Sequence, residues 1–148
     1  MEKILKVWLA EDDEDDRMLF RSSVKTFHFP VQLTVVYNGE ELMELLKHTV
    51  KLPDIIFLDL NMPRKDGLAC LTEIKKSERL KIIHIIILST SFRKMEADQL
   101  YELGAQYYIR KPDTFLQLES AIHTAIHQTV SSSRLGRTPE NQFIISEK

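Results

Sequence analysis

The sequence predicts an α/β domain built on a mostly parallel, five-stranded sheet, and three observations carry that expectation. Short runs rich in β-branched and aromatic residues alternate along the chain with stretches whose apolar residues recur at helical spacing. Two of the runs, Ile55–Leu60 and Ile82–Leu88, are apolar almost throughout, as strands are when helices cover both faces of a sheet. The length, 148 residues, suits one domain with a substantial core and not comfortably two.

Each element has its own justification. The first strand is expected over Ile4–Leu9. Six consecutive acids follow, Glu11 to Asp16, of which Asp15 and Asp16 suit the cap and start of a helix. That helix carries Phe20, Val24 and Phe27 on one face. The second strand is expected over Val31–Tyr37 and closes on a turn, Asn38-Gly39. Leu42, Leu45 and Leu46 then share a helical face, as do Leu68, Leu71 and Ile74 after Gly67 and the third strand. Leu100 and Leu103 support a fourth helix after the fourth strand, with Gly104 placed as its C-terminal cap. The fifth strand is expected over Gln106–Ile109. The last helix has the clearest stripe, Phe115, Leu118, Ile122, Ala125 and Ile126. Right-handed crossovers lead to a doubly wound, flavodoxin-like (βα)5 sandwich with strand order 2-1-3-4-5. Residues 1–130 form this domain. From Ser131 the composition turns to Ser-Ser-Ser-Arg-Leu-Gly-Arg-Thr-Pro, and residues 131–148 read as a tail that orders only against a partner, with no effector domain.

Composition excludes several classes. Lone Cys70 rules out a disulfide framework and a cysteine zinc site, and fits a cytoplasmic setting. No apolar run reaches the ~18 residues of a membrane span, and Met1-Glu2-Lys3-Ile4 does not open a signal peptide. Basic residues form no stripe for nucleic acid. The net charge of −2 conceals an asymmetry: outside the six-acid run, 16 acids face 20 bases. Negative charge is concentrated at one place.

Open α/β sheets bind ligands beyond the carboxyl ends of their strands. Those ends bring Glu11, Asp12 and Asp13 after strand 1, Asp59 and Asn61 after strand 3, Ser89 and Thr90 after strand 4, and Lys111-Pro112 after strand 5. Tyr37-Asn38-Gly39 reads as a plain turn. Two carboxylates 4 Å apart repel by ~4 kcal/mol at an effective dielectric of about 20. Lys111 offsets part of that, and a hard divalent cation bound through oxygen, Mg²⁺ first, offsets the rest. The pattern describes carboxylates, Mg²⁺ and a phosphoryl group, with Asp59 free to act as a nucleophile.

These residues resemble the CheY-like receiver domains of two-component response regulators. The likeness rests on Glu11-Asp12, on Asp59-Leu60-Asn61-Met62-Pro63 with Asp66-Gly67, on Ser89, and on Tyr108-Ile109-Arg110-Lys111-Pro112, and it spans about residues 3–129. It implies that Asp59 accepts a phosphoryl group from a phosphohistidine, on a sensor histidine kinase or a phosphotransfer protein. It implies Mg²⁺, or Mn²⁺, held by Asp12, by Glu11 through water, by Asp59 and by the backbone carbonyl of Asn61. Lys111 would pair with Asp59 and then with the phosphoryl group. Ser89 would turn toward that group and Tyr108 would follow inward. A cis peptide bond would precede Pro112. Of the three acids after strand 1, the family pattern selects Glu11 and Asp12, with Asp12 and Asp13 as the alternative pair. Output would pass through the surface of helix 4, strand 5 and helix 5 to a downstream protein, a homodimer or onward phosphotransfer, in a signalling protein rather than an enzyme.

Leu88-Ser89-Thr90-Ser91 and the Lys76–His84 segment are similar to single-domain regulators that partner phytochrome-like kinases. Thr90 stands where a small residue is frequent in the family, and His84 where proline is common. Cys70 reads as a small buried residue and Trp8 as core or edge packing. A Mg²⁺-dependent phosphatase is disfavoured because Asn61 cannot serve as the second acid. A flavin-binding module is disfavoured because acids occupy the phosphate-loop position.

Overall fold

The computed structural model describes residues 4–131 and 137–146. Strands β1 (Leu5–Ala10), β2 (Val31–Val36), β3 (Ile55–Asp59), β4 (His84–Ser89), β5 (Tyr107–Arg110) and β6 (Ile144–Ile145) form one parallel sheet in the order β2-β1-β3-β4-β5-β6. Helices α1 (Glu14–Lys25), α2 (Gly39–His48), α3 (Gly67–Lys76), α4 (Lys94–Glu102) and α5 (Phe115–Ser131) connect or follow the first five strands.

Strand alternation sorts the core into two layers. Leu5, Val7 and Leu9 of β1, Ile55 and Phe57 of β3 and Ile86 and Leu88 of β4 face α1 and α5. They meet Phe20, Val24, Leu118, Ile122 and Ile126 there, with Phe20 edge-on to Phe57 at 4.8 Å. Trp8, Ala10, Ile56, Leu58, Ile85 and Ile87 face the other way, onto Leu42, Leu46, Cys70, Leu71, Ile74 and Leu100 of α2, α3 and α4. Cys70 and Trp8 are core residues accordingly.

The caps differ in detail from expectation. Asp13, not Asp15 or Asp16, caps α1, its side chain accepting from the Asp16 N–H at 2.9 Å. Asn38, expected as a plain turn residue, caps α2 in the same way, and Asp66 caps α3. Gly104 closes α4 at φ +105°, with the Ala105 N–H reaching the Leu100 carbonyl and the Gly104 N–H that of Tyr101. β4 begins at His84 rather than Ile82, because the chain turns there: the Ile83 N–H bonds to Leu80 and Ile82 is exposed.

Gly67 matters for the site. A Cβ there would lie 2.5 Å from the Asp59 carbonyl oxygen and 2.8 Å from the Leu60 Cα, both backbone. Gly67→Ala is therefore expected to lose about 1–3 kcal/mol by overpacking, read as a lowered denaturant midpoint at unchanged m.

Two expectations about the C-terminal region need correction. The sheet has six strands, not five, and residues 137–146 order against their own domain rather than only against a partner. Phe143 is buried in the α4-side core and Ile145 in the α5-side core, which ties the segment along the otherwise open edge of β5.

Candidate functional site

The carboxyl edge of the sheet gathers side chains from four strand ends. Glu11, one residue past β1, is 2% exposed, and Asp59, the last residue of β3, is 5% exposed. Asp12 is exposed at the mouth. Carboxylate oxygens of Glu11, Asp12 and Asp59 lie within 4.8 Å of one another. The Asp13 carboxylate is engaged as the α1 cap instead. Asn61 follows on the exposed side of β3, its N–H 3.4 Å from Asp59 Oδ1.

Lys111, just past β5, crosses this cluster. Its Nζ is 2.6 Å from Glu11 Oε1, 3.0 Å from Asp16 Oδ2 and 4.0 Å from Asp59 Oδ1. The ammonium thus sits closest to Glu11 rather than to Asp59. Burial works against its charge, but the hydrogen bond and negative charge of Glu11 outweigh that and hold it above the ordinary lysine value. Asp59 goes the other way for a carboxyl. Burial pushes it up to about 8, Lys111 opposes this, and the neighbouring Glu11 charge adds to it. One ammonium is not enough for these carboxylates.

That deficit tests the fit of a cation. All the converging donors are hard oxygens, no His or Cys joins the cluster among the described residues, and negative charge remains uncompensated. The chemistry of the set fits Mg²⁺ or Mn²⁺, with Glu11, Asp12 and Asp59 as the side chains that would hold it.

Ser89 ends β4 fully buried, its Oγ 3.3 Å from both the Ser91 hydroxyl and the Ser91 N–H. The Ser89 carbonyl accepts from the Lys111 N–H at 2.8 Å, tying the two strand ends together. Thr90 is exposed beside it. Tyr108 is fully buried, its hydroxyl donating to the Ser91 carbonyl at 2.5 Å and its ring edge-on to Phe92 at 5.7 Å.

The loop after β3 turns sharply. The Lys65 N–H bonds to the Pro63 carbonyl at 2.7 Å, with Arg64 between them at φ 69°. The peptide bond before Pro112 is trans, as are all the others described, contrary to the cis bond the family likeness implies. Lys111 reaches the cluster from a trans bond.

Sequence reasoning missed two residues. Asp16, read only as part of the cap and start of a helix, is a direct partner of Lys111. Arg17 donates from Nη1 to the Glu11 carbonyl at 3.1 Å and lies 4.2 Å over the Tyr37 ring. Both sit on the first turns of α1, and the 95-position separation of Asp16 from Lys111 hides that contact. The available signal was polar residues within one turn of a strand end that carries ligands.

A doubly wound sheet with buried carboxylates and a crossing lysine at its carboxyl edge is the architecture of a signalling receiver, and the chain belongs to the response regulator receiver domain family, whose model matches residues 7–123. It is similar to the response regulator Rcp1 of Synechocystis sp., 33% identical over 110 residues, covering 71% of this chain and 75% of Rcp1. Among solved structures, the phosphorylated cyanobacterial phytochrome response regulator RcpA aligns at TM-score 0.83 and 31% identity, over 89% of this chain and 98% of RcpA. The Mn²⁺-bound form of Rcp1 aligns at TM-score 0.73 and 28% identity, over 91% and 99%. The chain is thus a receiver of two-component signalling with single-domain, phytochrome-type relatives, in a signalling rather than a classical enzyme family. Among the described residues no helix is long and apolar enough to cross a membrane.

Proposed function

We propose that this protein works as a single-domain response regulator in the cytoplasm, taking a phosphoryl group on Asp59 from a sensor histidine kinase or a phosphotransfer protein. One observation carries the reading: a nearly buried Asp59 carboxylate shares its pocket with Glu11, Asp12 and Lys111. An Asp59 oxygen attacks the phosphorus of a phosphohistidine. The P–N bond breaks, its electron pair returns to the imidazole, and a mixed carboxylic–phosphoric anhydride forms. Glu11, Asp12, Asp59 and the Asn61 carbonyl would hold a divalent cation, which would neutralise charge on the carboxylates and the phosphoryl oxygens. Lys111 exchanges its carboxylate contacts for a phosphoryl oxygen, and the Ser89 hydroxyl donates to another. Ser89 and Tyr108 both contact Ser91, so a shift of Ser89 reaches Tyr108 through one residue. The α4-β5-α5 surface then changes for a downstream protein, a second copy or a further phosphotransfer. Water attack on the same phosphorus returns the carboxylate and free phosphate.

The test is incubation with acetyl phosphate and Mg²⁺, followed by intact-mass measurement. The wild-type chain is expected to gain one phosphoryl group, and Asp59→Asn and EDTA-treated samples none. An Asp59→Asn chain that still gains the phosphoryl mass overturns the assignment.

A further inference from the structure

The segment after α5 lies against the switch tyrosine. Its Phe143 carbonyl accepts from the Tyr108 N–H at 2.9 Å, and Ile144 pairs with Tyr108 in the β5–β6 register. The Phe143 ring, 2% exposed, is 6.4 Å from Tyr108 and 5.1 Å from Tyr101 of α4. Polar anchors hold the entry. The Tyr101 hydroxyl donates to the Thr138 carbonyl at 2.7 Å, Gln106 Nε2 to Thr138 Oγ1 at 2.8 Å, and Arg137 Nη2 to the Tyr101 carbonyl at 2.7 Å. Arg137 also lies 4.2 Å over the Tyr101 ring. This segment covers part of the face between α4 and β5 and packs with Tyr108 in one apolar cluster.

We infer that residues 137–146 are a built-in reader of the Asp59 site, docking most tightly while Tyr108 is buried. The inference rests on the phosphoacceptor reading above. Tyr108 sits between Phe92 and Phe143, so swinging it outward removes the surface on which Phe143 packs and leaves a cavity beneath it. Whatever favours the buried tyrosine therefore favours the docked segment. Binding linkage is reciprocal, so the docked segment must favour occupancy of the phosphoryl site by the same factor. The α4–β5 face is then offered to partners with the segment clamped on it in the phosphorylated state, and with the segment loosened in the other.

Beryllofluoride, a stable mimic of the phosphoryl group, provides the probe. With Mg²⁺ and beryllofluoride, amide exchange of residues 137–146 is expected to slow about 5-fold or more, the lower end of common coupling factors. Phe143→Ala is expected to weaken beryllofluoride affinity by a similar factor. Thr138→Ala, which removes one anchor and leaves the core intact, is expected to weaken it less, and so guards against a folding artefact. Unchanged or faster exchange in a wild-type chain that binds beryllofluoride overturns the linkage alone. So does a folded Phe143→Ala chain of wild-type affinity. A wild-type chain that takes no beryllofluoride overturns the phosphoacceptor reading, and the linkage with it.

Discussion

Lys111→Met is expected to destabilise the protein by about 3–5 kcal/mol, the usual result of removing one partner from a buried ion pair. Lys111 is 11% exposed and Glu11 2%, and their 2.6 Å contact is the shortest of the lysine's three carboxylate contacts. Without the ammonium, Glu11 loses its closest positive partner, keeps the long 3.3 Å bond from the Asp13 N–H, and still has Asp59 beside it. Methionine matches the lysine stem in volume, so the loss is electrostatic rather than a cavity effect. Urea unfolding of the single variant, of Glu11→Gln, and of the double variant measures it. The double variant is expected to recover most of the loss, because the buried charge is gone. A single variant within 1 kcal/mol of wild type, or a double variant with no recovery, contradicts the account.

The second large effect has the opposite sign. In metal-free solution, Asp59→Asn is expected to stabilise the fold. The folded protein holds the Asp59 proton up to about pH 8, against an ordinary value of 3.8. The native state therefore binds more protons than the unfolded chain across that window, and wild-type stability falls as pH rises from about 4 to 8. Asparagine keeps the shape and removes the titration. Each unit of displacement is worth about 1.4 kcal/mol, so near neutral pH the gain is on the order of 2–4 kcal/mol. In thermal melts that is roughly 5–10 °C. The difference should vanish below pH 4 and shrink again when Mg²⁺ is added, since a cation relieves the same carboxylate. A pH-independent difference, or a less stable variant at pH 8 in EDTA, contradicts it.

Both expected effects arise from the same uncompensated negative charge. The carboxylates of Glu11, Asp12, Asp16 and Asp59 gather around one ammonium and leave a net negative pocket, and burying that charge lowers stability. Gly67 belongs to the same arrangement: its missing Cβ lets α3 start against the backbone of Asp59 and Leu60.

Much of this was legible in the residues. The apolar runs at Ile55–Leu60 and Ile82–Leu88 read as strands covered on both sides, and the stripe from Phe115 to Ile126 as an amphipathic helix. Period and burial are local consequences of side-chain direction, so one chain suffices to read them. The strand ends followed, and with them Glu11, Asp12, Asp59, Ser89 and Lys111 as neighbours at one edge; Tyr108 came only from the family resemblance. Other features depended on distant parts of the chain. Asp16 looks like any acid in a first helical turn until α1 and β5 bring it to 3.0 Å from Lys111. Nothing in the two residues Ile144–Ile145 announces a strand, because so short a strand has no period to display. Only the edge of β5 and the packing of Phe143 against Tyr101 and Tyr108 make one of them. The sequence by itself determined the layers and which end of the sheet carries the chemistry. The tertiary structure alone decided which carboxylates share the lysine and where the C-terminal segment lies, because both depend on contacts about 100 and 35 residues apart.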